Sequence, residues 1–141
     1  MKSLLSLVFL LSFSTVLATP CNGQEGSFFI NATGEKGGFV AHTAHVDATV
    51  YLGKSVQICD NAQVLDQAQI TGNAIISEDA VVYDRAKVFG QAQVYETAVV
   101  WEDAQVYGNA HVYGFAGLKG NVQVYGIARM FDATYDRGFY F

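Results

Sequence analysis

An aliphatic side chain returns at every sixth position of this chain without a failure: Val46, Leu52, Ile58, Val64, Ile70, Ile76, Val82, Val88, Val94, Val100, Val106, Val112, Leu118, Val124 and Met130. Two positions before each stands a smaller side chain: Ala44, Val50 and Val56, then Ala62 and every sixth residue to Ala116, and finally Val122 and Ala128. Side chains alternate faces along an extended backbone, so two inward positions flanking one outward residue make a short strand. The remaining residues must turn. Pairs such as DN, DQ, GN, ED and DR stand there, types that accept left-handed or tight-turn angles. Apolar spacings of two and four do not follow a 3.6-residue period, and Gly or Asp in nearly every hexad would weaken a helix at each repeat.

Three equal sides per lap predict an eighteen-residue period on top of the six. Gly72, Gly90, Gly108 and Gly126 do fall eighteen apart at one corner, with Gly114 and Gly120 outside that column. Fifteen hexads then make about five coils, roughly 24 Å of prism at the ~4.8 Å spacing of hydrogen-bonded strands.

This pattern, unbroken from Ala44 to Met130, resembles the hexapeptide repeat of left-handed parallel β-helix proteins. The resemblance implies an all-β fold: a single-stranded left-handed parallel β-helix, or β-solenoid, of about five triangular coils. The left hand comes from the resemblance, not from the period. The expected organisation is a signal peptide over 1–18, an N-terminal cap over 19–43, the β-helix over 44–131 and a C-terminal cap over 132–141. Caps are needed because open strand edges recruit other chains; "GSFFI" and "GGFV" are available at one end and "ATYDRGFYF" at the other.

Lys2, the short apolar run "LLSLVFLLSF" and the small-residue site Val16-x-Ala18 carry the signal-peptide reading. It predicts a secreted, periplasmic or cell-surface protein of about 123 residues with no transmembrane span in the mature chain. Loss of Lys2 would move the formal charge from −5 to −6. An acidic surface without a basic run argues against nucleic acid as a partner. Cys21 and Cys59 are the two cysteines. In an oxidising compartment they permit one disulfide, which would tie the N-terminal cap to the first coil; two buried thiols are the other reading.

Functional information must lie in the outward residues, since packing explains the inward ones. Sorted by side, Leu65, Val81, Tyr83, Val99 and Trp101 form the most apolar column and the candidate binding face. Phe89, Tyr107 and Tyr125 are expected to form one aromatic ladder, and Tyr95, Tyr113 and Phe131 another. Such ladders stiffen a sheet, and rings beside amides suit contact with a protein partner, a second copy of the chain or a glycan.

The family resemblance also brings enzymes into view. Hexapeptide acyltransferases use a histidine near a loop that leaves the coil, often between subunits, and no such loop interrupts these hexads. Zinc-dependent carbonic anhydrases of similar fold gather three histidines, whereas His111 stands eleven hexads from His42 and His45. No catalytic residue, metal ligand set or cofactor is assigned. Acidic corner columns, Asp60/Glu78/Glu96 and Asp66/Asp84/Glu102, suit solvated turns, with calcium as the sharper alternative. "NAT" at Asn31 is a glycosylation sequon in a eukaryotic host. The expectation is a non-enzymatic solenoid offering a rigid surface for protein binding, self-assembly or glycan binding, with an acyltransferase-like enzyme whose site forms between subunits as the alternative.

Overall fold

The computed structural model describes residues 19–141; the expected signal peptide and its cleavage position lie outside them. A 3-10 turn, Pro20–Gly23, precedes an antiparallel hairpin of β1 (Gly26–Ile30) and β2 (Lys36–Ala41). The hexads then lay down β3 (His45–Val46), β4 (Tyr51–Leu52), β5 (Gln57–Ile58), β6 (Gln63–Val64), β7 (Gln69–Ile70), β8 (Ile75–Ile76) and β9 (Val81–Val82). They continue through β10 (Lys87–Val88), β11 (Gln93–Val94), β12 (Val99–Val100), β13 (Gln105–Val106), β14 (His111–Tyr113), β15 (Gly117–Leu118), β16 (Gln123–Val124) and β17 (Arg129–Phe131). β18 (Thr134–Tyr135) and β19 (Phe139–Tyr140) complete the chain.

Every third strand pairs in parallel. The result is a three-sided β-solenoid whose sheets run β1-β2-β5-β8-β11-β14-β17, β3-β6-β9-β12-β15-β18 and β4-β7-β10-β13-β16-β19; they are called here sheets A, B and C. Register is uniform through the hexads: Gln69, Lys87, Gln105 and Gln123 stand opposite one another, as do Gln63, Val81, Val99 and Gly117. Sheets of seven, six and six strands make about six turns, one more than the hexads alone provide. The extra rungs come from β2, in register with β5, and from β18 and β19, in register with β15 and β16. The final lap is shorter than eighteen residues, since Gly117 faces Thr134 and Gln123 faces Phe139, so no hexad count reveals it.

The aliphatic and alanine columns are the core. Every inward residue from Leu52 to Val112 is at most 2 % exposed, and they form one continuous cluster along the axis. Alanine is needed beside each Val or Ile because three strand interiors meet across a narrow triangle packed at crystal-like density. Tyr135 and Tyr140 cover the C-terminal end of the cluster, their rings edge to face at 5.1 Å; Phe29 and Val40 pack on the other end.

Corners follow from backbone geometry. Asp60, Asp66, Gly72, Glu78, Asp84, Gly90, Glu96, Glu102, Gly108, Gly114, Gly120, Gly126 and Asp132, each six residues from the last, all have φ between +48° and +73°. Left-handed angles cost a side-chain-bearing residue about 1–2 kcal/mol, and the acidic corners recover part of that by capping. Asp60 Oδ2 accepts the Glu78 N–H at 3.0 Å, Asp84 Oδ2 accepts that of Glu102 at 3.1 Å, and Glu102 Oε2 accepts that of Gly120 at 2.7 Å. Each carboxylate thereby satisfies a corner donor one coil further on, which a calcium reading of these columns did not anticipate.

Candidate binding surfaces

The N-terminal segment is fastened onto the outward side of sheet A. Cys21 and Cys59 form a disulfide with their Cα atoms 5.3 Å apart. The Gln57 side chain accepts the Cys21 N–H at 2.7 Å, and Gln24 accepts the Asp60 N–H at 2.8 Å. Asn31 makes the second closure. Its Nδ2 donates to the Leu52 carbonyl and its Oδ1 accepts the Leu52 N–H, both at 2.9 Å, so one buried side-chain amide imitates the missing strand beneath β4. Gly37 leaves room for it; a Cβ there would stand 2.8 Å from the Leu52 carbonyl oxygen and 3.1 Å from Asn31 Nδ2. The sequon asparagine is thus engaged through the very nitrogen a glycan would need. Nothing in the residue string beyond "NAT" marked this role.

The candidate face on sheet B is assembled as the eighteen-residue period implies. Val81 and Val99 are paired in register, and the Tyr83 ring stacks on the Trp101 indole at 6.1 Å with planes 3° apart. The indole leans over Gly117, where a Cβ would come within 3.1 Å of it, so the glycine in that column makes space for the tryptophan. Leu65, Val81, Tyr83, Val99 and Trp101 are all half-buried. Burial, followed by the negative charges of Asp84 and Glu102, raises the Tyr83 hydroxyl above the ordinary tyrosine pKa.

Both aromatic ladders are present. Phe89, Tyr107 and Tyr125 stack at 4.7 and 5.2 Å on sheet C, and Phe141 adds a fourth ring at 5.6 Å. On sheet A, Tyr95, Tyr113 and Phe131 stack at 5.3 and 5.7 Å, with His111 edge-on to Tyr95. The near-parallel planes mean that ring faces cover one another and ring edges point outward. A sugar stacks on a free face, and only the terminal rings of a ladder offer one. Burial, then the Tyr113 and Glu96 charges, holds the Tyr95 hydroxyl above its usual range.

Ionisable groups on the outward walls are dispersed. His45 Nε2 lies 3.1 Å from Asp47 Oδ1, while Asp47 Oδ2 accepts the Asp66 N–H at 2.9 Å. That backbone bond, ahead of the His45 contact, holds the Asp47 carboxyl below the ordinary value. Arg85 grips Asp103 through two 2.8 Å bonds at a neighbouring corner. Among the described residues no group of three or more His, Cys, Asp or Glu side chains is arranged to hold a metal ion. No described helix is long and apolar enough to cross a membrane.

Exposed apolar surface is concentrated where the sequence columns did not place it. All eight exposed large hydrophobics among the described residues lie toward the two ends, Phe28 and Ile30 in the hairpin and Tyr51 in the first lap at one end, and Phe115, Ile127, Phe131, Phe139 and Phe141 in the last two laps at the other. The walls between Leu52 and Gly114 leave none, because their aromatic rings are stacked.

Residues 68–84 match a family model described as YdcK Beta solenoid repeat. That match and the three-sided winding fit a hexapeptide-repeat-like β-helix family. No curated protein and no solved structure matches the chain.

Proposed function

We propose that this protein is a secreted or periplasmic, non-enzymatic β-solenoid that works as a rigid surface for protein binding or self-assembly. The observation that carries the reading is the uninterrupted winding. From His45 to Phe131, two- and three-residue strands alternate with corners of three or four residues, and no segment leaves the coil to bring a nucleophile, a base and a substrate cavity together. Repetition instead produces long, straight columns of outward side chains, a geometry suited to extended contacts. The lateral contact surface is the sheet B strip of Leu65, Val81, Tyr83, Val99 and Trp101, whose apolar groups are fixed by stacking and register before any partner arrives. The Cys21–Cys59 disulfide is compatible with an extracellular location.

Sedimentation velocity combined with acyl-CoA binding by calorimetry tests the proposal against an enzyme whose site forms between subunits. The proposal predicts no binding of acyl-CoA at any oligomeric state. A compact trimer that binds the cofactor would replace it with the acyltransferase reading.

A further inference from the structure

We propose that the C-terminal end of the solenoid is the docking surface for a second copy of this chain, joined tail to tail about a two-fold axis through β17. The inference rests on the reading of the chain as a rigid, assembling rod, but it uses a surface separate from the sheet B strip.

The two ends are finished differently. At the N-terminal end the Asn31 amide occupies the Leu52 backbone groups, and the Lys36 ammonium lies 3.7 Å above the exposed Phe28 ring, a charge on an edge of the kind that discourages pairing. At the C-terminal end sheets A, B and C stop at β17, β18 and β19, each paired on one side only. Phe131, Phe139 and Phe141 stand there 53 %, 67 % and 82 % exposed, with Ile127 at the corner between the last two ladders 79 % exposed. Both aromatic stacks end in this lap, so Phe131 and Phe141 each keep one uncovered face.

Charge selects a second copy. The chain carries a formal charge of −5, and Asp or Glu fills most corners from Asp47 to Asp103, so most approaches of two copies are repulsive. Beyond Gly114, Lys119, Arg129 and Arg137 stand against Asp132 and Asp136, leaving one net positive charge. This end is where two identical acidic rods repel least.

Backbone direction selects the two-fold. Outward residues send their N–H groups toward the C-terminal end, as Lys87 does to the Ala104 carbonyl and Phe89 to that of Val106. In β17 the corresponding groups belong to Arg129 and Phe131 and point beyond the last lap. A second β17, antiparallel about Met130, places Arg129 opposite Phe131 of the other copy twice over. Each such pair exchanges both backbone hydrogen bonds, four in all, and sets a guanidinium against a ring face left bare. The sequence Arg-Met-Phe is complementary to itself in this register.

The oxidised protein tests this by sedimentation velocity and by cross-linking. A dimer is expected at tens of micromolar, with Phe131→Glu weakening it at least about thirtyfold, the scale of an interface hot spot, while circular dichroism stays unchanged. Hydrogen-bonded antiparallel partners have Cα atoms about 5.5 Å apart, within disulfide reach. A mixture of Arg129→Cys and Phe131→Cys chains should therefore cross-link under mild oxidation, and neither variant alone should. A monomer at about 100 μM, a dimer indifferent to Phe131→Glu, or Arg129→Cys cross-linking with itself would each overturn the proposal. Association lost on Tyr83→Ala or Trp101→Ala but kept by Phe131→Glu would overturn it too, leaving the rigid-surface reading in place.

Discussion

Replacing Asn31 by Ala removes one side chain yet orphans two backbone groups. Leu52 is fully buried, and its N–H and carbonyl have the Asn31 amide as their partner across the bottom of β4. A buried polar group left without a partner costs about 1–3 kcal/mol, so the two together cost roughly 2–5 kcal/mol. In a solenoid each coil leans mainly on its neighbours, so the loss should appear as opening of the first lap before it appears in the last. Amide hydrogen exchange resolves this directly. The Leu52 amide should exchange between about thirtyfold and several thousandfold faster in Asn31→Ala, at about tenfold per 1.4 kcal/mol, while the Val106 amide, several laps away, changes little. Asn31→Asp separates donor from acceptor. It keeps an acceptor for the Leu52 N–H but, when ionised, turns an oxygen toward the Leu52 carbonyl, so its stability should improve as the pH falls and the carboxyl regains a proton. A Leu52 exchange rate within threefold of the parent in both variants would refute the capping argument.

Gly90→Ala places a Cβ at φ +73° and 2.9 Å from the Gly108 nitrogen, and should lower stability by about 1–2 kcal/mol from the left-handed angle alone, measured by urea denaturation. Reducing the disulfide, or Cys21→Ser with Cys59→Ser, opens a 38-residue separation and should cost about 2–4 kcal/mol, read from the same curves. The Arg85 guanidinium holds the Asp103 carboxyl below the ordinary carboxylate value. Because the folded pKa is the lower one, the ion pair contributes above the unfolded pKa and is lost as pH falls through the folded value; a carbon-detected titration should show the Asp103 midpoint rising in Arg85→Gln. In a glycosylating host, protein that folds before modification should carry no glycan at Asn31, by intact mass.

The repeat made most of this architecture readable. Val46 through Met130 named the inward columns correctly because a three-sided core tolerates only aliphatic and alanine side chains, and the eighteen-residue spacing brought Tyr83 to Trp101 and Phe89 to Tyr107 as expected. What escaped was whatever does not repeat. Asn31 lies outside the hexads, and its role depends on a hairpin that returns it beneath Leu52. The last lap is shortened, so Phe141 joining the Tyr125 ladder could not be counted forward. Ring orientation was illegible for another reason: a column records which residues stand above one another, not whether they present faces or edges to solvent. Within the sheet C ladder and within the sheet A ladder the rings turn their faces to one another, and that moves exposed apolar surface to the ends of the rod.

All of these columns depend on three sides to a lap, and through-hydrogen-bond scalar couplings measure that directly by NMR. The account predicts coupling from the Lys87 amide nitrogen to the Ala104 carbonyl carbon and from Phe89 to Val106, seventeen residues on in each case. Couplings that instead reached twenty-three residues on, to Ala110 and Val112, would mean four sides to a lap and would contradict it.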